Sequence, residues 1–150
     1  MLGLEKYFKK RDYHPISAEL ISEFNRHRFA NDKSKLCFAP FKSMYFGHHG
    51  KVVTCCFNRN YVLGNYPQQS IKEIWYGEAA QKLRDYICHN DLSLGCWGCK
   101  QQMVAGNFSA VKSLQYDSPK LNSSKYPSVL EFELINTCNL ECVMCTGEYS

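Results

Sequence analysis

Nine cysteines dominate the chemistry this sequence could perform. Nine is odd, and spacing gathers them into two sets with Cys56 and Cys88 left over. Thiols of a reducing compartment read as metal ligands before they read as disulfides. The more compact set is Cys138, Cys142 and Cys145, a C-x3-C-x2-C loop. Three thiolates this close can converge on one side of an iron–sulfur cube and leave one iron without a protein ligand. An open coordination position accepts a substrate or cofactor, whereas a closed site is structural or electron-transferring.

The second set is Cys37, Cys55, Cys96 and Cys99. Cys37 precedes a hairpin pattern, Cys55 ends it, and a later helix leads to the C-x2-C of Cys96 and Cys99, so four thiolates are available to close a cube. Cys56 competes with its neighbour, but the C-x12-G-x4-C spacing through Gly50 favours Cys55. A structural zinc site is the alternative, since distant cysteine half-sites also describe a zinc ribbon. C-x17-C is too wide for an ordinary zinc knuckle, and nothing after Cys145 offers the first set a fourth ligand. Cys88 reads as a buried helix thiol. His48 and His49, at a hairpin tip between glycines, read as solvent-exposed, and neither they nor His89 are expected to ligate metal.

The elements that must carry these ligands follow from periodicity. Ser17 to Phe29 is predicted helical, capped by Ser17, with Leu20, Ile21, Phe24 and Arg28 near one stripe. Met44–Phe46 and Val52–Thr54 are strand formers around a Gly47–Gly50 turn. Gly64–Asn65 predicts another turn. Ser70 and Glu73 have capping-box spacing, and Ile71, Ile74, Trp75, Leu83 and Ile87 continue an amphipathic helix to about Ile87. Ser, Asn, Lys and Pro between Asn107 and Ser128 read as a linker. Val129 to Ile135 then alternates as a strand with Leu130, Phe132 and Leu134 on one face and Glu131 and Glu133 on the other.

The strand, the C-x3-C-x2-C spacing, Asn139-Leu140 after the first cysteine and Met144 before the last resemble the radical S-adenosylmethionine (SAM) superfamily. The resemblance implies that Cys138, Cys142 and Cys145 hold a 4Fe–4S cluster whose open iron chelates SAM. It implies reductive cleavage of SAM to a 5′-deoxyadenosyl radical, which modifies a peptide or small-molecule substrate. A reducing partner such as a flavodoxin or ferredoxin would supply the electron. The segments Cys37–Pro40, Gly50–Cys55, Leu63–Asn65, Ser70–Trp75 and Cys96–Cys99 resemble the SPASM/twitch auxiliary domains attached to such enzymes. That likeness implies a second, auxiliary 4Fe–4S cluster on Cys37, Cys55, Cys96 and Cys99.

The expected fold class is therefore α/β, with an α+β N-terminal part. It divides into a helical segment over 1–34, a twitch-like domain over 35–105, a linker over 106–128, and the opening strand and cluster loop of a partial (β/α) barrel over 129–150. Twitch domains usually follow the barrel, whereas this one precedes it. Most barrel strands would lie beyond Ser150, so the chain as given looks truncated and is expected to be inactive alone. In a barrel, Glu131 and Glu133 would line the lumen. Competing readings are a non-catalytic module with two zinc sites, and a two-cluster electron carrier.

Composition sets limits on partners. Hydrophobic content of 45% and charged content of 21% describe a globular chain, and a net charge of +4, concentrated near the start, gives little ground for a nucleic-acid partner. No stretch approaches the ~20 apolar residues that cross a bilayer, and the first residues lack the apolar core of a secretory signal, so no membrane partner and a cytoplasmic location are expected.

Overall fold

The computed structural model describes residues 12–118 and 125–134. Helix α1 (Ala18–Arg26) starts where Ser17 Oγ accepts the Leu20 amide at 3.2 Å. It ends short of the expected Phe29 because Arg28 turns into the protein, leaving Phe29 fully exposed. The short α2 (Ala39–Lys42) runs straight into strand β1 (Ser43–Phe46), which pairs antiparallel with β2 (Lys51–Val53) in the register Tyr45↔Val53 and Phe46↔Val52. Gly50 closes the turn at φ +81, and a Cβ there would stand 2.4 Å from the Tyr66 carbonyl oxygen, so only glycine fits. Gly64–Asn65, expected as a turn, instead forms β3, paired with β2.

The amphipathic helix expected from Ser70 to Ile87 is two helices. Ser70 and Glu73 form the reciprocal capping box that opens α3 (Ile71–Tyr76), and α4 (Glu78–Cys88) follows. Gly77, extended at φ −65 and ψ 162, ends one and begins the other. Apolar periodicity carries across the break because Ile74 and Trp75 of α3 join Leu83 and Ile87 of α4 in the same core. Cys88, read as a buried thiol, is exposed: the last residue of α4, it lies off the stripe of Ala80, Leu83 and Ile87.

Helix α5 (Trp97–Val104) follows, then two 3-10 turns, Phe108–Ala110 and Lys112–Tyr116. These turns correct the composition-based reading of a linker, since Phe108, Val111 and Tyr116 are buried. The last strand, β4 (Val129–Phe132), is parallel to β1 with Ser43↔Val129 and Phe46↔Phe132 opposite each other. The sheet order is β3-β2-β1-β4. The fold is mixed α and β, with helices packed on a small mixed sheet.

The buried apolar side chains form two clusters. Met44, Phe46 and Val52 face the helices and meet Phe24, Ile74, Leu83, Ile87 and Met103. A smaller cluster holds Phe38, Ala39, Cys55 and Tyr116, with Cys37 against it. Leu130, Phe132 and Leu134 are exposed, although Phe132 stacks on Phe46 at 5.0 Å between ring centres. Asp91 ties the N-terminal segment to this unit: fully buried, it accepts the His14 amide at 2.7 Å. No helix among the described residues is long and apolar enough to cross a membrane.

Candidate metal centre

Three elements deliver four thiols to one pocket. Cys37 ends the loop before α2, Cys55 follows β2, Cys96 is the N-cap of α5, and Cys99 sits in the first turn of that helix. All four line the same pocket, whose walls are otherwise mainly apolar, with Leu36, Phe57, Leu92 and Met103 among them. Cys56 points elsewhere and is half-buried outside this lining.

The surroundings disfavour charge on free thiols. Burial pushes the Cys55 thiol up to about 11 and Cys96 up to about 12, and the other three cysteines of the pocket contribute further repulsion at Cys37. Burial likewise raises Cys99. Working against burial are N–H groups aimed at sulfur. The Ala39 amide lies 3.4 Å from Cys37 Sγ, and Asn58 Nδ2 lies 3.3 Å from Cys96 Sγ. Backbone amides of Phe57 and Asn58 face Cys55, and those of Lys112 and Ser113 face Cys99. Four thiols in an apolar pocket, each met by N–H donors, suit a positively charged inorganic group that takes them as thiolates. Among the described residues no three His, Cys, Asp or Glu side chains crowd closely enough to hold a single metal ion.

Tyr116, another pocket residue, connects this site to β4. Its hydroxyl donates to Glu131 Oε1 at 2.7 Å, and Ser43 Oγ lies 3.3 Å from the same oxygen. Burial, with that hydrogen bond second, raises the phenol well above its ordinary range. Glu133 accepts from Arg59 Nη1 at 3.1 Å and faces His48 Nδ1 at 3.7 Å, while Arg59 Nη2 donates to Tyr45 Oη at 2.9 Å. Burial opposes ionisation of Glu133, but the Arg59 and His48 contacts outweigh it and hold the carboxyl below its usual range. Glu131 of β4 and Glu133 just after it are thus both held by partners in the domain, neither lying free in solvent. His48 is folded in against Glu133, contrary to the expectation of an exposed hairpin tip, whereas His49 is exposed. His89 packs flat on Tyr13 at 4.0 Å, away from the cysteines.

Cys138, Cys142 and Cys145 lie outside the described residues. Sequence reasoning missed Asn58, Tyr116 and the helix that carries Cys99. Asn58 follows Cys55 by three residues, which is the one signal that could have found it.

Residues 37–100 match the family model of SPASM, an iron–sulfur cluster-binding domain. No curated protein and no solved structure matches the chain. The matched stretch opens on Cys37 and includes Cys55, Cys96 and Cys99, so the pocket they line falls in a segment similar to a domain that binds iron–sulfur clusters.

Proposed function

We propose that this chain is the auxiliary-cluster and cluster-loop part of a radical SAM enzyme. The observation that carries the reading is the convergence of four thiols, from three elements of the segment similar to SPASM, on one mainly apolar pocket. Cys37, Cys55, Cys96 and Cys99 would hold the auxiliary 4Fe–4S cluster, which when bound supplies one-electron chemistry. The pocket's apolar walls exclude water, and the N–H donors orient the sulfurs.

Cys138, Cys142 and Cys145 would hold the second cluster and leave one position open for SAM. Support comes from β4, which leads to that loop and is bound to the pocket through Glu131 and Tyr116. On the carboxylate face of β4, which would line a barrel lumen, Glu131 is bonded to Tyr116 of the auxiliary site. The substrate is then a peptide or small molecule approached from that side, and a flavodoxin- or ferredoxin-like partner would deliver electrons.

Anaerobic reconstitution with iron and sulfide tests this. Two 4Fe–4S clusters per chain are expected, with SAM altering the electron paramagnetic resonance (EPR) spectrum of one. A colourless chain that takes up stoichiometric zinc instead overturns the proposal. Two clusters with spectra indifferent to SAM would leave an electron carrier.

A further inference from the structure

Asn58 is 1% exposed, carries no charge, lines the pocket and reaches one of its sulfurs. Its amide nitrogen donates both hydrogens into the turn before α5, one to the Leu94 carbonyl at 2.9 Å and one to Cys96 Sγ at 3.3 Å. The opposite amide orientation would set Oδ1 against the Leu94 carbonyl, acceptor against acceptor, so the N–H groups must face the turn and the sulfur. Its backbone nitrogen bonds the Cys55 carbonyl at 3.1 Å, and the same amide faces the Cys55 thiol. One residue therefore braces ligands from the hairpin and from the C-x2-C.

The turn is shaped to receive it. Gly95 has φ +76, and a Cβ there would stand 2.0 Å from Asn58 Oδ1. Oδ1 itself is buried with no hydrogen-bond partner. A buried amide with one unsatisfied oxygen is costly, roughly 1–3 kcal/mol by mutational measures. A residue whose only task was to stitch the turn could be replaced by one with less to satisfy, so the second N–H, spent on sulfur, is the contact that distinguishes asparagine.

We propose that Asn58 is a positioning residue that tunes the auxiliary cluster through an N–H···S hydrogen bond to Cys96. The inference rests on the reading that the four thiols hold a cluster. Hydrogen bonds to cluster sulfur stabilise the more negative, reduced form and so raise the reduction potential.

The test is a redox titration, followed by EPR, of reconstituted chain carrying Cys142→Ala so that a single cluster reports. Asn58→Leu, similar in volume but without a donor, should shift the midpoint potential negative at unchanged iron content. Asn58→Asp, which puts a carboxylate where the donor was, should shift it further. Equal midpoints in all three proteins overturn the inference and leave the cluster reading intact. Failure of the parent to load iron and sulfide overturns both. Should the Asn58 variants not fold, the parent itself decides: with asparagine labelled by 15N at the side-chain amide, pulsed EPR of the reduced cluster should show coupling to that nitrogen. No coupling would sink the proposal.

Discussion

Cys55 and Cys56 are adjacent in sequence and differ in every respect that matters for ligation. Cys55 is 8% exposed, lines the pocket and is faced by two backbone amides. Cys56 is half-buried outside the pocket lining, where burial and then the charge of Glu131 disfavour its thiolate. Cys55→Ala should therefore abolish one cluster, as should Cys99→Ala, whereas Cys56→Ala and Cys88→Ala leave the iron and sulfide content of reconstituted chain unchanged. Loss of iron in Cys56→Ala alone would reassign the ligand. The sharing of one pocket by Cys37, Cys55, Cys96 and Cys99 was legible in the sequence because a common site demands a residue type at constrained spacing, and the spacing through Gly50 favoured Cys55 over its neighbour. Asn58 was not, because a lone asparagine among turn residues has many uses and only the fold shows its second hydrogen aimed at sulfur. Cys88 was misread because burial of a helix residue depends on which face it occupies, and one residue past Ile87 the face has turned by about 100°.

At the scale of elements, the hairpin, the capped start of α3 and the alternation of β4 were plain from local pattern. The break at Gly77 was not, since helices on both sides feed one core and keep the apolar period running. Helix α5 buries only Met103 within its span, so it offers no stripe to find. The 3-10 turns hide in polar composition, with Phe108, Val111 and Tyr116 as sparse anchors. What fastens these turns to the rest is Arg28, whose side chain is 0% exposed. It donates Nε to Asp117 Oδ2 at 2.9 Å and Nη1 to the Lys35 carbonyl at 2.7 Å, and its guanidinium lies 5.3 Å from the Phe24 ring centre. Nothing in a helix stripe distinguishes this arginine from a solvated one; its partner lies 89 residues away. Arg28→Ala strands the buried Asp117 carboxylate and should cost about 3–5 kcal/mol in urea unfolding. Arg28→Lys keeps the charge but loses the fork, and should recover only part of that loss.

At the scale of the whole molecule, the metal-free protein is held partly by protons on its cysteines. The folded state raises Cys55 to about 11 and Cys96 to about 12 from an ordinary 9.0, so it binds those protons more tightly than the unfolded chain does. That contribution is fully present below about pH 9 and is lost as pH climbs through 11 to 12. Thermal melts of metal-free chain under reductant should therefore fall from pH 9 upward more steeply than those of the Cys55→Ser/Cys96→Ser double variant. A parallel decline in both would show that the thiols do not drive it.

Cluster loading should reverse this balance and act across the entire fold. The four ligands come from the loop before α2, the end of β2 and the start of α5, so a bound group crosslinks the hairpin, both cores and, through Tyr116 and Glu131, strand β4. A group bound only by the folded state at a thousandfold excess over its Kd stabilises by about 4 kcal/mol. At roughly 2–8 °C per kcal/mol, the melting temperature should rise by on the order of 10 °C or more. Because the bound thiolates carry no protons, the alkaline decline should also flatten. Tyr116→Phe separates the crosslink within the domain from its extension to β4: it removes the hydroxyl bonded to Glu131 and leaves the ring in place. Loading should still raise its melting temperature, but hydrogen exchange at the Glu131 and Glu133 amides should no longer slow on loading as it does in the parent. Equal slowing in both proteins would mean that β4 is held by its pairing with β1 alone, and that the pocket and the strand act independently.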